Sequence, residues 1–168
     1  MLMRFVPKRP YGLWSESRRS YEGVDPNMPQ PINAAADMSP LRKPKILIID
    51  DDPMLCDMLA DLFTDRGFEA ECRHDGGEAA GAVWDFHPDI LVIDSVLPHT
   101  PGVEVVKQIR AVGLIRNLPI VVISGVHGQR PEQTAMRAGA NAFLRKPFDL
   151  EDIVALVQRL LAEVRPAQ

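Results

Sequence analysis

Six polar side chains in this sequence could act together on a phosphoryl group. Asp50, Asp51 and Asp52 follow the apolar run KILII, Asp94 follows ILVI, Ser124 follows IVVI, and Lys146 follows NAFLR. Two carboxylates about 4 Å apart repel by about 4 kcal/mol at an effective dielectric constant of 20, so Asp50, Asp51 and Asp94 need a compensating cation. Hard oxygen donors favour Mg2+ or Mn2+ over zinc or a redox metal. A divalent ion held by acids, with a lysine and a hydroxyl beside it, suits phosphoryl transfer. The cations neutralise the phosphoryl oxygens, the hydroxyl donates a hydrogen bond, and one Asp attacks phosphorus to give an aspartyl phosphate. Each residue alone has an ordinary explanation, such as a helix cap for the Asp triplet or a turn at Ser124-Gly125. The combination at four separate strand ends carries the argument.

The elements that must position these groups alternate strand and helix. Lys45-Ile49, Ile90-Ile93 and Ile120-Ile123 have no polar alternation, as expected of parallel strands covered on both faces. Phe68-Arg73 and Asn141-Arg145 mix polar and apolar residues, which suits the edges of the sheet. In the first helix Asp52 is the N-cap and Pro53 the first residue, with Met54, Leu55, Met58, Leu59, Leu62 and Phe63 as its apolar face and Gly67 as its end. Trp84 and Phe86 on the second helix are read as core. A short fourth helix, near Glu132 to Ala138, closes at Gly139, and the last helix starts at Asp149. Right-handed crossovers then give an α/β fold, a doubly wound (βα)5 parallel sheet of flavodoxin-like order 2-1-3-4-5, with the ligand site beyond the strand C-termini.

These residues resemble the receiver domain of two-component response regulators, of the CheY-like kind, over about residues 44 to 165. The likeness rests on the acidic pair in ILIIDDDP, on Ile93-Asp94-Ser95-Val96-Leu97-Pro98 with Gly102 eight residues after Asp94, on Ser124-Gly125, and on GANAFLRKPF ending in Lys146-Pro147-Phe148. The resemblance implies that Asp94 takes a phosphoryl group from a histidine kinase or phosphotransfer protein. It further implies that Asp51 binds Mg2+ directly, that Asp50 holds it partly through water, and that the Val96 carbonyl completes the metal site. Lys146 and Ser124 would contact the phosphoryl oxygens. Ser124 would move inward on phosphorylation and Phe143 would rotate into the vacated space, a two-state switch. A cis Lys146-Pro147 peptide is also implied. The chain departs from the family at Ser95, where a large apolar residue is usual, and at Phe143, where tyrosine is frequent. Val96 and Val126 stand where polar groups can orient an attacking water, so a long-lived aspartyl phosphate is expected.

The rest of the chain bounds the reading. Of 168 residues, 46 % are hydrophobic and 25 % charged, enough for an ordinary core. The formal charge of -4 is unevenly split: residues 1 to 43 hold seven basic and four acidic residues, hence +3, and residues 44 to 168 hold 12 and 19, hence -7. Residues 1–43, with six of the 15 prolines and no periodicity, read as a disordered, Pro-rich basic extension; residues 166–168 read as a tail. Cys56 and Cys72 form no zinc or disulfide pattern, no apolar run is long enough to span a membrane, and a cytoplasmic setting is expected. His74, His87, His99 and His127 are assigned surface or turn roles, with His99 and His127 near the rim of the site. The acidic folded part disfavours nucleic acid, and only Arg165-Pro166-Ala167-Gln168 follows the last helix. The expectation is therefore a single-domain response regulator without a DNA-binding domain. It is a signalling domain rather than an enzyme, acting on a downstream protein target, with a phosphorylation-dependent homodimer as a further state. Two alternatives are carried: a haloacid-dehalogenase-like phosphatase with Asp50 as nucleophile, and a docking module that takes no phosphate.

Overall fold

The computed structural model describes residues 42–111, 117–126 and 130–164. The predicted extension up to residue 41, the tail and His127 lie outside them. The described elements are β1 (Lys45–Ile49), α1 (Pro53–Asp65), β2 (Glu69–Arg73), a 3-10 turn (Gly76–Glu78), α2 (Ala79–Phe86), β3 (Ile90–Asp94), α3 (Gly102–Ala111), β4 (Ile120–Ser124), α4 (Pro131–Ala138), β5 (Ala142–Arg145) and α5 (Leu150–Val164). The five strands form one parallel sheet of order β2-β1-β3-β4-β5, as predicted. Each predicted strand is found to within one residue.

Strand side chains alternate between the two faces, and here both faces are buried. Leu47, Ile49, Leu91, Ile93, Ile120 and Val122 pack with α2, α3 and α4. Ile46, Ile48, Ile90, Val92, Val121 and Ile123 pack with α1 and α5. Every one of these residues is fully buried. β1, β3 and β4 are thereby fixed by apolar contact on both sides, and the polar residues at their C-termini inherit that rigidity.

The Asp52 carboxylate caps α1 by accepting the N–H groups of Met54 and Leu55, and Pro53 takes the first position. The buried line of α1 is Cys56, Leu59 and Phe63, which differs from the predicted face: Met54 is 81 % exposed and Met58 is also exposed. Residues 56, 59 and 63 follow the i, i+3, i+7 spacing of one stripe, and Met54 falls roughly 160° around the helix from Cys56. A similar correction applies on α2. Phe86 is buried with Val83, Ala82 and Ala79, but Trp84 is 55 % exposed, because a turn of roughly 100° per residue carries it off the face that holds Val83.

Candidate functional site

In a parallel sheet all strand C-termini lie at one edge, so Asp50 after β1, Asp94 at the end of β3, Ser124 at the end of β4 and Lys146 after β5 meet on one rim. Asp50 is fully buried; its Oδ1 accepts the Asp52 N–H at 3.0 Å and its Oδ2 accepts Lys146 Nζ at 2.6 Å. Asp94 is buried too; its Oδ1 accepts the Val96 N–H at 2.7 Å and its Oδ2 also pairs with Lys146. One ammonium thus bridges two buried carboxylates. Asp51 is exposed, yet one oxygen from each of Asp50, Asp51 and Asp94 lies within 4.8 Å of the others. Three hard oxygen donors at that spacing fit Mg2+.

The Lys146 backbone is held by its N–H donating to the Ser124 carbonyl at 2.8 Å, and the Lys146–Pro147 peptide is cis. Ser124 is fully buried; its Oγ accepts the Val126 N–H at 3.2 Å and the Ser95 hydroxyl at 2.6 Å. The backbone after Asp94 is tied to β4 by the Ser95 N–H, which donates to the Ile123 carbonyl, and to α3 by the Gly102 N–H, which donates to the Ser95 carbonyl. Gly102 must be glycine for want of space: a Cβ there would stand 1.9 Å from the Asp94 carbonyl oxygen. Phe143 is half-buried against the α2–α3–α4 side of the core, and in register it faces Val122, whereas Ser124 faces Arg145.

Two residues that the sequence does not place in the site stand beside it. His74, just after β2, has its Nδ1 2.9 Å from the Asp50 carbonyl oxygen. Ser95 reads in the sequence as a departure, and the fold makes it the hydrogen-bond partner of Ser124, 29 residues away. His99 pairs with Asp75 at 2.6 Å in the neighbouring loop.

Burial holds the Asp50 carboxyl above its ordinary value of 3.8, despite hydrogen bonds from Lys146 and the Asp52 N–H; the nearby Asp94 charge adds to the rise. For Lys146, burial pulls downward, but hydrogen bonds and charge from Asp50 and Asp94 outweigh it and raise the ammonium above 10.5. Its stabilising contribution is therefore present below pH 10.5 and lost as pH rises through the raised value.

Asp50 has the opposite consequence. With its folded value raised, the native state holds the proton more tightly than the unfolded chain, so stability falls as pH climbs from 3.8 through that value. Replacing Asp50→Asn is expected to stabilise the metal-free protein at pH 7, with the gain disappearing below pH 3.8. Urea unfolding in EDTA at both pH values measures this, and a less stable variant at pH 7 would remove the argument.

The family model of the response regulator receiver domain matches residues 46–158, more than half of the chain. The chain belongs to this family. Receiver domains are the signalling domains of two-component systems and bind Mg2+ at an acidic pocket, and this chain carries the acidic cluster. Among curated relatives, response regulator MprA of Mycobacterium avium (strain 104) is 34 % identical over 122 residues, covering 73 % of this chain and 53 % of MprA. The MprA of Mycobacterium tuberculosis (strain H37Rv) is likewise 34 % identical, with 52 % of its length covered. This chain spans about half the length of the curated relatives it matches. Among solved structures, a two-component response regulator from Clostridium difficile aligns with TM-score 0.68 and 26 % identity over 74 % of this chain and 100 % of that one. Chemotaxis response regulator CheY4 of Vibrio cholerae aligns with TM-score 0.66 and 28 % identity over 71 % and 99 %. Receiver membership decides against the phosphatase alternative. No described helix is long and apolar enough to cross a membrane.

Proposed function

We propose that residues 44–165 act as a phosphoacceptor switch: Asp94 takes a phosphoryl group from a histidine kinase or phosphotransfer protein, with Mg2+ held by Asp50, Asp51, Asp94 and the Val96 carbonyl. The observation that carries this reading is the bridge of one Lys146 ammonium across Asp50 and Asp94, which places a cation beside the reacting carboxylate. An Asp94 oxygen forms a bond to phosphorus as the bond from phosphorus to the donor nitrogen, or to the oxygen of a small acyl phosphate, breaks. Mg2+ supplies further charge neutralisation at the phosphoryl oxygens. Lys146 and Ser124 contact those oxygens, and the backbone N–H of Val96 holds the carboxylate orientation.

The readout in this reading is a protein surface. Ser124 and Phe143 act as the switch pair, and the β4–α4–β5–α5 side presents the change to a downstream protein target or to a second copy of the chain. The net charge of -7 over residues 44 to 168, the same 12 basic and 19 acidic residues counted above, favours protein over nucleic acid for this domain. A kinase partner of this type places the domain in the cytoplasm, and the protein assists its own phosphorylation without turning over a separate substrate.

Incubation with phosphoramidate or acetyl phosphate and Mg2+, read by intact-protein mass, is expected to add one phosphoryl group to the native chain and none to Asp94→Asn. Val96 and Val126 are both exposed at the site and offer no polar side chain to direct a water. Once donor is removed, the adduct should therefore persist well beyond seconds. No adduct on either protein would make the chain a docking module.

A further inference from the structure

The hydroxyl of Ser95 has no place in the reading above, and the geometry around it is specific. Ser95 Oγ lies 2.6 Å from Ser124 Oγ and 3.5 Å from Asp94 Oδ1. The first is a short, strong hydroxyl contact and the second is too long to compete with it. A serine hydroxyl has one proton to give and two lone pairs to receive with. Ser124 Oγ accepts the Val126 N–H, and with Ser95 as the donor in the 2.6 Å contact its second lone pair is engaged as well. The Ser124 proton is then the one capacity left on a fully buried oxygen. The two hydroxyls line a cavity of about 290 Å³ whose other walls, including Val96, Val103 and Val126, are mostly apolar side chains. Few acceptors compete there for that proton, and an oxygen of a phosphoryl group on Asp94 would provide one.

We propose that Ser95 is a positioning residue for phosphoryl transfer: by donating to Ser124 Oγ, its hydroxyl commits the Ser124 proton to the incoming phosphoryl group. The inference rests on Asp94 being the phosphoacceptor. Ser95 acts only through Ser124, so its effect must depend on Ser124 being present. Without the Ser95 donor, the Ser124 hydroxyl is free to rotate and its proton is no longer aimed.

The test is a double-mutant cycle on the rate of phosphorylation by acetyl phosphate at saturating Mg2+, followed by intact mass. Ser95→Ala is expected to slow phosphorylation about tenfold, the scale of one lost hydrogen bond, and Ser95→Thr to recover most of that loss. In a Ser124→Ala background, Ser95→Ala should add nothing. Mg2+ affinity, measured by calorimetry, should be unchanged in Ser95→Ala, which a general disturbance of the acidic pocket would not allow. An unchanged rate in Ser95→Ala overturns the proposal, as does an equal loss in the Ser124→Ala background. A faster rate also overturns it, by showing that Ser95 holds the Ser124 proton away from the site. If the native chain itself gains no phosphoryl group, the phosphoacceptor reading fails and the proposal falls with it; if the native chain is labelled and only the cycle fails, Ser95 alone has been misassigned.

Discussion

Lys146→Met is expected to destabilise the metal-free protein by about 3 kcal/mol at pH 8, and Mg2+ is expected to restore more stability to the variant than it adds to the native chain. Asp50 is fully buried and the Asp94 side chain is 8 % exposed, so both carboxylates depend on the same ammonium for compensation. Methionine keeps the length of the stem and removes the charge. What remains is a pair of buried acids without a partner, the arrangement in which loss of one member of a buried ion pair is most costly. Asp50, whose carboxyl burial already holds above its ordinary value, can escape by taking a proton, so the destabilisation should shrink as pH falls from 8 to 5. A divalent cation replaces the missing charge directly. If Lys146 contacts the phosphoryl oxygens as proposed, phosphorylation should nevertheless fall by about 100-fold or more, because methionine offers them no charge and no proton. Chemical unfolding with and without Mg2+ measures the first two effects and intact mass the third. A metal-free variant as stable as the native chain would show that Lys146 does not hold the two acids.

Gly102→Ala is the second large effect, and its cause is space. The added Cβ would stand 1.9 Å from the Asp94 carbonyl oxygen, 2.9 Å from its carbonyl carbon and 3.3 Å from Ile93 Cγ1. Two of those atoms are backbone in β3, which is paired on both sides by β1 and β4 and cannot yield cheaply. Relief must come from α3 moving outward, which breaks the Gly102 N–H to Ser95 carbonyl bond and shifts the loop that holds Ser95 and Val96. The expected cost is about 3 kcal/mol, with a marked loss of phosphorylation because Asp94 and its neighbours move together. Gly81→Ala is the control. It lies exposed in α2 with nothing within 4 Å of the added Cβ, so alanine there should stabilise by about 0.5 kcal/mol through helix propensity. If Gly102→Ala behaves like Gly81→Ala in thermal and urea unfolding, the close approach at β3 is not a real constraint.

The sheet and the rim of the site were legible because both depend on local pattern. Continuous apolar runs specify buried parallel strands, and a polar residue directly after such a run must lie at the strand end, whatever the tertiary detail. Asp94 and Ser124 are located in this way, and Asp50 and Lys146 nearly so. What stayed hidden needed contacts between distant segments. The pairing of Ser95 with Ser124 spans 29 residues, and that of His74 with the Asp50 carbonyl spans 24. Neither has a spacing to read, although Ser95 was flagged by being polar where bulk is usual. Gly102 was marked by its position in the motif, but the 1.9 Å approach to Asp94 that requires it appears only when α3 is laid against β3. The misread faces have a simpler origin: Met54 and Trp84 are apolar by type, and the apolar neighbours of each allowed a helical stripe to be drawn one position out of phase.

Trp84 stands among His87, Pro88, Asp89, Leu118 and Pro119, residues that precede β3 and β4, and hence at the opposite end of the strands from Asp94 and Ser124. Its indole is half in water and, among the described residues, its aromatic partner is His87, with ring centroids 6.2 Å apart. Emission from this fluorophore reports first on its own surroundings, at the pole of the domain away from the acidic pocket. A ligand arriving at the Trp84 pole would announce itself in that emission, with no added probe.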